Sequence, residues 1–133
     1  MHENDISFLI RKAAFAVHTE LGPGLLESVY ETALQFELHQ AGLRVKAQVP
    51  LPMVYKGIGM DIGFRLDLLV ESRVVVEIKS IEAISDVHHM QLLTYLKLSG
   101  HKLGLLINFN VSRLKEGIVR KVNGLDDSQR TSA

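Results

Sequence analysis

The chain has no cysteine. Disulfides, thiolate zinc sites, iron–sulfur clusters and cysteine nucleophiles are therefore excluded, and any metal site must use oxygen ligands or histidine. Oxygen ligands favour magnesium, manganese or calcium. Net charge is also missing, with 15 Lys and Arg balancing 15 Asp and Glu. A protein that holds nucleic acid chiefly by neutralising phosphates is usually basic, so positive charge used that way here would have to be confined to one face. No apolar run reaches the roughly 18 residues that a membrane span needs, and no membrane partner is expected. The opening Met1-His2-Glu3-Asn4-Asp5 is polar and acidic and does not resemble a secretory signal, so a cytoplasmic location is expected.

What is present suits one domain. The 133 residues are 47% apolar, enough to bury a core. Asp5 can cap a first helix with apolar positions Ile6, Leu9, Ile10, Ala13, Ala14, Val17 and Leu21. Gly22-Pro23-Gly24 ends it and opens a second helix from about Leu25 to Gln40, with Leu26, Val29, Ala33 and Phe36 as the expected buried stripe and Gly42 as a left-handed cap. The texture then turns to β: Leu43 to Val49, Met53-Val54-Tyr55 before a turn at Lys56-Gly57, Phe64 to Val70, and Val74 to Ile78. A third helix runs from Asp86 to about Leu98, its core stripe expected at Val87, Met90, Leu93 and Leu96. Leu103 to Phe109 reads as a buried strand. The domain is expected over residues 1–124, with a disordered tail over 125–133. This order predicts an α/β fold, a central mixed sheet flanked by helices.

Two central strands carry the chemistry. In the first, Arg65, Asp67 and Leu69 share a face; in the second, Val75, Glu77 and Lys79 do. If Glu71-Ser72-Arg73 is a three-residue turn, Val70 pairs with Val74, Leu68 with Val76 and Leu66 with Ile78, while Asp67 meets Glu77 and Arg65 meets Lys79. A two-residue turn would mix charge into the apolar face, so the first register is expected. It brings two carboxylates to about 5 Å between Cβ atoms, a repulsive pair unless a cation lies between them. Hard, half-buried oxygen ligands suit a magnesium ion that keeps waters and takes a substrate phosphate. Lys79 would stabilise a developing oxyanion or orient the attacking water. On the second helix Glu27, Tyr30, Glu31 and Leu34 share a face, although Glu27 in a first turn also suits the helix dipole. On the third helix His88, Gln91 and Tyr95 share another, which could equally be a solvated flank.

Gly24-Leu25-Leu26-Glu27-Ser28-Val29-Tyr30 spells G-x-x-E-x-x-Y, and it precedes Arg65-Leu66-Asp67 and Glu77-Ile78-Lys79 in order. With Gln91-Leu92-Leu93-Thr94-Tyr95-Leu96 and Gly104-Leu105-Leu106-Ile107-Asn108-Phe109, the chain resembles the GxxExxY family of the PD-(D/E)XK nuclease superfamily, from about His18 to Arg120. One departure is Leu66, where the superfamily name expects proline. The resemblance implies a PD-(D/E)XK nuclease-like core with helices on both faces of the sheet. It implies that Asp67 and Glu77 bind a divalent metal (Mg2+ or Mn2+) with Glu27 as a further acidic ligand, and that Lys79 assists catalysis. Gln91 and Tyr95 would line the site from the third helix, with Tyr30 and Arg65 beside the substrate.

The leading expectation is a metal-dependent nuclease acting on DNA or RNA. The alternatives are a non-catalytic, nucleic-acid-associated module on the same fold, or hydrolysis of a small phosphorylated ligand. A homodimer would let so small a protein build a longer cleft.

Overall fold

The computed structural model describes residues 1–60 and 64–126. Two helices come first, α1 over Glu3–Leu21 and α2 over Glu27–Gln40. Strands β1 (Val45–Pro50), β2 (Met53–Tyr55), β3 (Ile58–Met60), β4 (Arg65–Val70) and β5 (Val74–Lys79) follow. Helix α3 (Asp86–Ser99), strand β6 (Leu103–Asn108), a short 3-10 turn at Leu114–Gly117 and strand β7 (Ile118–Val122) complete the chain. β1, β4, β5, β6 and β7 form one sheet in that order, and β2 and β3 pair as a separate hairpin. β5 and β6 are parallel, joined over α3, and the other neighbours in the sheet are antiparallel. The fold is thus α/β with a mixed sheet, as expected. No helix among the described residues is long and apolar enough to cross a membrane.

Helices cover both faces. On one, Ile6, Ile10, Ala14 and Val17 of α1 and Tyr30, Leu34 and Leu38 of α2 pack on Leu68, Val70, Val74, Val76 and Ile78. On the other, Leu92, Tyr95 and Leu96 of α3 pack on Leu66, Leu69, Val75 and Leu106. β5 and β6, central in the sheet, read as nearly unbroken apolar runs because both of their faces are covered. α3 comes closest at Gly104, where an added Cβ would stand 2.8 Å from Leu92 Cδ1. The end of α2 is a Schellman motif. Gly42, at φ 81, donates to His39 O, Leu43 N donates to Leu38 O, and Leu38 and Leu43 share the core.

Several expectations need correction. α1 starts at Glu3, capped by the His2 ring, which accepts from Asn4 N, rather than by Asp5. α2 buries Tyr30, Leu34 and Leu38, leaving Leu26, Val29 and Phe36 on the surface. α3 buries Leu92, Tyr95 and Leu96, leaving Val87 and Met90 exposed. α2 and α3 each carry two apolar stripes, and in each the one that faces the sheet includes a tyrosine. β7 was not foreseen. It is a half-buried edge strand with Arg120 and Lys121 inside it, so it lacks a clean alternation. Leu125 packs against the core rather than starting a free tail, and residues 127–133 of the expected tail lie outside the described residues.

The register of the central hairpin matches the expectation only near its turn. Val70 pairs with Val74, Leu69 with Val75 and Leu68 with Val76, around Glu71 and Ser72 in left-handed conformation at φ 53 and 54. The ladder between β4 and β5 then stops, so the expected ladder pairs of Asp67 with Glu77, Leu66 with Ile78 and Arg65 with Lys79 are not formed, and Asp67 and Glu77 meet instead through their side chains. β4 stays paired to β1, with Leu66 opposite Val49. Across this level Gln48 adopts φ 52, and both Val49 and Leu66 turn to the α3 side, away from the face that buries Leu68. β4 therefore leaves β5 while keeping β1, and the sheet forks between Asp67 and Glu77.

The close packing at Gly104 gives a direct test. Gly104→Ala should lower stability by about 1–3 kcal/mol through overpacking against Leu92 and Leu96. Gly59→Ala, whose Cβ would meet nothing within 4 Å, should change it little in the same urea melts.

Candidate active site

The fork leaves backbone donors that a continuous ladder would have satisfied. Ile78 N donates to Asp67 Oδ2 at 2.8 Å, and Asp67 N donates to Glu77 Oε1 at 3.2 Å. Each carboxylate thus replaces a ladder partner on the opposite strand, which avoids the penalty of unpaired buried backbone groups. One oxygen of each is used this way. The two carboxyl groups also hydrogen-bond each other when Glu77 carries a proton, and beyond these contacts neither has another hydrogen-bond partner among the described residues. Two carboxylates side by side, each tied to the backbone through one oxygen, make a pair of hard donors.

The pair is electrostatically unbalanced. Glu77 is only 6% exposed, and its pKa is pushed up to about 9, first by burial and then by the Asp67 charge. Half-buried Lys79 works in the opposite direction with less effect. Glu77 therefore holds a proton at neutral pH unless a cation takes the proton's place. The Tyr95 pKa is also raised, by burial and then by the charges of Glu77 and Asp67, so its phenol lies in the field of the pair. Its ring rests on Phe64 with centroids 5.6 Å apart.

The G-x-x-E-x-x-Y segment folds onto the far end of β5. Gly24 takes φ 95, in the region that favours glycine, between the two helices. Tyr30, one turn into α2, is fully buried and stacks on Phe109 with centroids 4.6 Å apart. Its hydroxyl donates to Gly22 O at 2.6 Å and accepts from Leu25 N at 3.1 Å, closing the loop. Ser80 Oγ donates to Leu25 O, and Ser80 N donates to Glu27 Oε1 at 3.4 Å. The motif thus delivers Glu27 to the residue just after Lys79, beside a cavity of about 490 Å³ lined by Gly24, Leu25, Leu26, Val29, Ser80 and Asn110.

The expected site residues are brought together in part. Asp67 and Glu77 meet, with Lys79 on the same strand and Tyr95 above them. Glu27 turns to the Ser80 amide, and among the described residues no three His, Asp or Glu side chains converge as a ready-made metal cluster. Tyr30 does not face a substrate surface: it is fully buried and its hydroxyl is used within the loop that precedes Glu27. Arg65 and Gln91 are exposed, Gln91 one turn before Tyr95 on α3.

Asn108 was not singled out from sequence. Only 1% exposed, it sits opposite Lys79 in the parallel ladder. Its Oδ1 accepts from Ile81 N and Asn110 N, and its Nδ2 donates to Ile81 O. It fixes the chain leaving Lys79 to the end of β6. Its signal was a lone polar residue inside the apolar run 103–109.

The chain covers 77% of its own length in a superposition on the crystal structure of SSO0001, with a TM-score of 0.57 and 23% identity, a likeness of fold. It spans 53% of that protein's chain, about half. No curated protein sequence matches it significantly. A family model described as the PD-(D/E)XK nuclease superfamily matches residues 4–121, nearly all of the described domain. The chain therefore belongs to the PD-(D/E)XK nuclease superfamily.

Proposed function

We propose that the protein is a divalent-metal-dependent nuclease that hydrolyses phosphodiester bonds of DNA or RNA, within the GxxExxY group of the superfamily. The observation that carries this reading is the pairing of Asp67 and Glu77 at the fork, each held to the backbone through one oxygen. Two oxygen donors suit Mg2+ or Mn2+, since magnesium is commonly bound by one or two carboxylates and completes its shell with water and phosphate. The raised Glu77 pKa supports the same assignment, because the charge it resists is one that a cation would accept. When bound, such an ion supplies positive charge against the phosphate and acidifies water for attack.

The chain's own residues do the rest. Asp67 and Glu77 hold the ion at a fixed point, because their inward oxygens are tied to the backbone. Lys79 presents an ammonium two residues beyond Glu77, where it stabilises charge growing on the phosphate oxygens or orients the attacking water. Glu27, held by Ser80 N just beyond Lys79, would be a further acidic ligand. Gln91 and Arg65 are the substrate contacts, and Tyr95 holds the carboxylate side of the cleft.

Cleavage of DNA or RNA oligonucleotides should require Mg2+ or Mn2+. Asp67→Asn, Glu77→Gln and Lys79→Ala should each lower the rate by roughly a hundredfold or more. Glu27→Gln should cost roughly ten- to a hundredfold. A wild type that binds metal without cleaving any oligonucleotide would leave a binding module in place of an enzyme.

Proton linkage gives a second test. Glu77 has a higher pKa folded than unfolded, so its contribution to stability is complete below the ordinary carboxylate range and is lost as pH rises toward about 9. In EDTA, wild-type stability should therefore fall between pH 5 and 9, and Glu77→Gln should flatten the fall. Metal binding at pH 7.5 should release close to one proton, seen by calorimetry in buffers of different ionisation enthalpy. A release equal in wild type and Glu77→Gln would place the metal elsewhere.

Tyr30→Phe keeps the stacking on Phe109 and removes the loop clasp. It should fold with a modest loss of stability and resemble Glu27→Gln in metal affinity, whereas a purely structural tyrosine would change stability alone.

A further inference from the structure

The α1–α2 layer is apolar on both sides. Its inner side forms the core, and its outer side leaves Phe8, Phe15, Leu21, Leu26, Val29 and Phe36 between 37% and 74% exposed. On α1, Phe8, Phe15 and Ala16 follow at i, i+7 and i+8; on α2, Val29, Ala33 and Phe36 follow at i, i+4 and i+7. Between the helices runs a groove of about 610 Å³ lined by Ala16, Leu21, Val29, Ala33 and Phe36, with Glu20 and Glu37 also on its walls. At about 150–250 Å² per aromatic side chain, the three phenylalanines alone leave roughly 250–400 Å² in water. That already reaches into the range of the largest patch on an ordinary monomer, roughly 300–600 Å². The aliphatic residues and the groove extend it toward the roughly 800 Å² per partner of a stable interface.

We infer that this face docks against a second copy of the chain, forming a two-fold four-helix interface. Phe8 and Phe15 stand seven residues apart on α1, as Val29 and Phe36 do on α2, which is about 10.5 Å along each axis. α1 and α2 run in opposite directions across the short 22–26 connection. A two-fold axis parallel to the helices lays α1 of one copy antiparallel over α2 of the other, and the equal spacings meet twice by symmetry. Lys12, exposed between the two phenylalanines, then faces a helix whose groove wall carries Glu37. The Glu20 and Glu37 carboxylates disfavour a nucleic-acid phosphate on this face. α3, on the opposite side of the sheet, stays outside this interface. The inference goes beyond the proposed activity and does not rest on it.

Sedimentation velocity and light scattering across roughly 1–100 µM, a range that spans typical dissociation constants, test the arrangement. The wild type should sediment with twice the 14.8 kDa chain mass at the upper end. Phe8→Glu and Phe36→Glu, both at exposed positions, should keep the wild-type circular dichroism and raise the dissociation constant roughly thirtyfold or more. Val54→Glu, on the separate hairpin and 68% exposed, should remain dimeric. Lys12→Glu should weaken the dimer, and Lys12→Glu combined with Glu37→Lys should recover part of the loss. A monomer at every concentration overturns the inference, including one that instead binds neutral phospholipid vesicles. So does a dimer indifferent to both phenylalanine substitutions.

Discussion

The site depends on one exchange of hydrogen bonds. Where β4 parts from β5, Ile78 N is satisfied by Asp67 and Asp67 N by Glu77, so the two carboxylates stand in for a missing stretch of ladder. This makes the acidic pair part of the sheet's construction rather than an addition to its surface. It also forces two like charges into contact in a half-buried place. The cost falls on Glu77, which keeps its proton well into the alkaline range. A metal-free fork is therefore neutralised by a proton, and the functional proposal is that a divalent ion replaces that proton.

A second set of contacts brings α2 to the same end of the sheet. The Tyr30 clasp on Gly22 and Leu25, and the Ser80 contacts to Leu25 and Glu27, join the helix start to the residue after Lys79. Asn108 locks the opposite side of that turn to β6. Lys79 is thus followed by a segment held from two directions. This suits a group that must stay aimed while a phosphate is bound and released.

The sequence made the order of elements legible, together with the mixed sheet and the hairpin register around Val70 and Val74, because apolar matching on buried strands leaves few alternatives. It did not show that the register ends at Leu68 and Val76. That break accompanies a left-handed backbone at Gln48, a residue type that does not announce it, on a strand paired only later in the fold. The helix faces were misread for a related reason. Tyr30 and Tyr95 look polar in a pattern of aliphatics, yet each buries its ring, and the Tyr30 hydroxyl finds its partners in the loop before it. β7 pairs β6 with charged residues in its middle and carries no periodic signal of its own. The approach of Asp67 to Glu77 was legible from parity. The turn of Glu27 toward Ser80 depends on tertiary contacts that no local spacing encodes.

The central claim is that Asp67 and Glu77 together hold a divalent ion through the oxygens they turn away from the backbone. Anomalous scattering from a crystal soaked in manganese tests it most directly, since it locates the metal without any substrate. The account predicts a single strong peak within about 2.5 Å of Asp67 Oδ1 and Glu77 Oε2, a distance typical of hard-cation coordination. A peak held by other residues, with the fork empty, would contradict it.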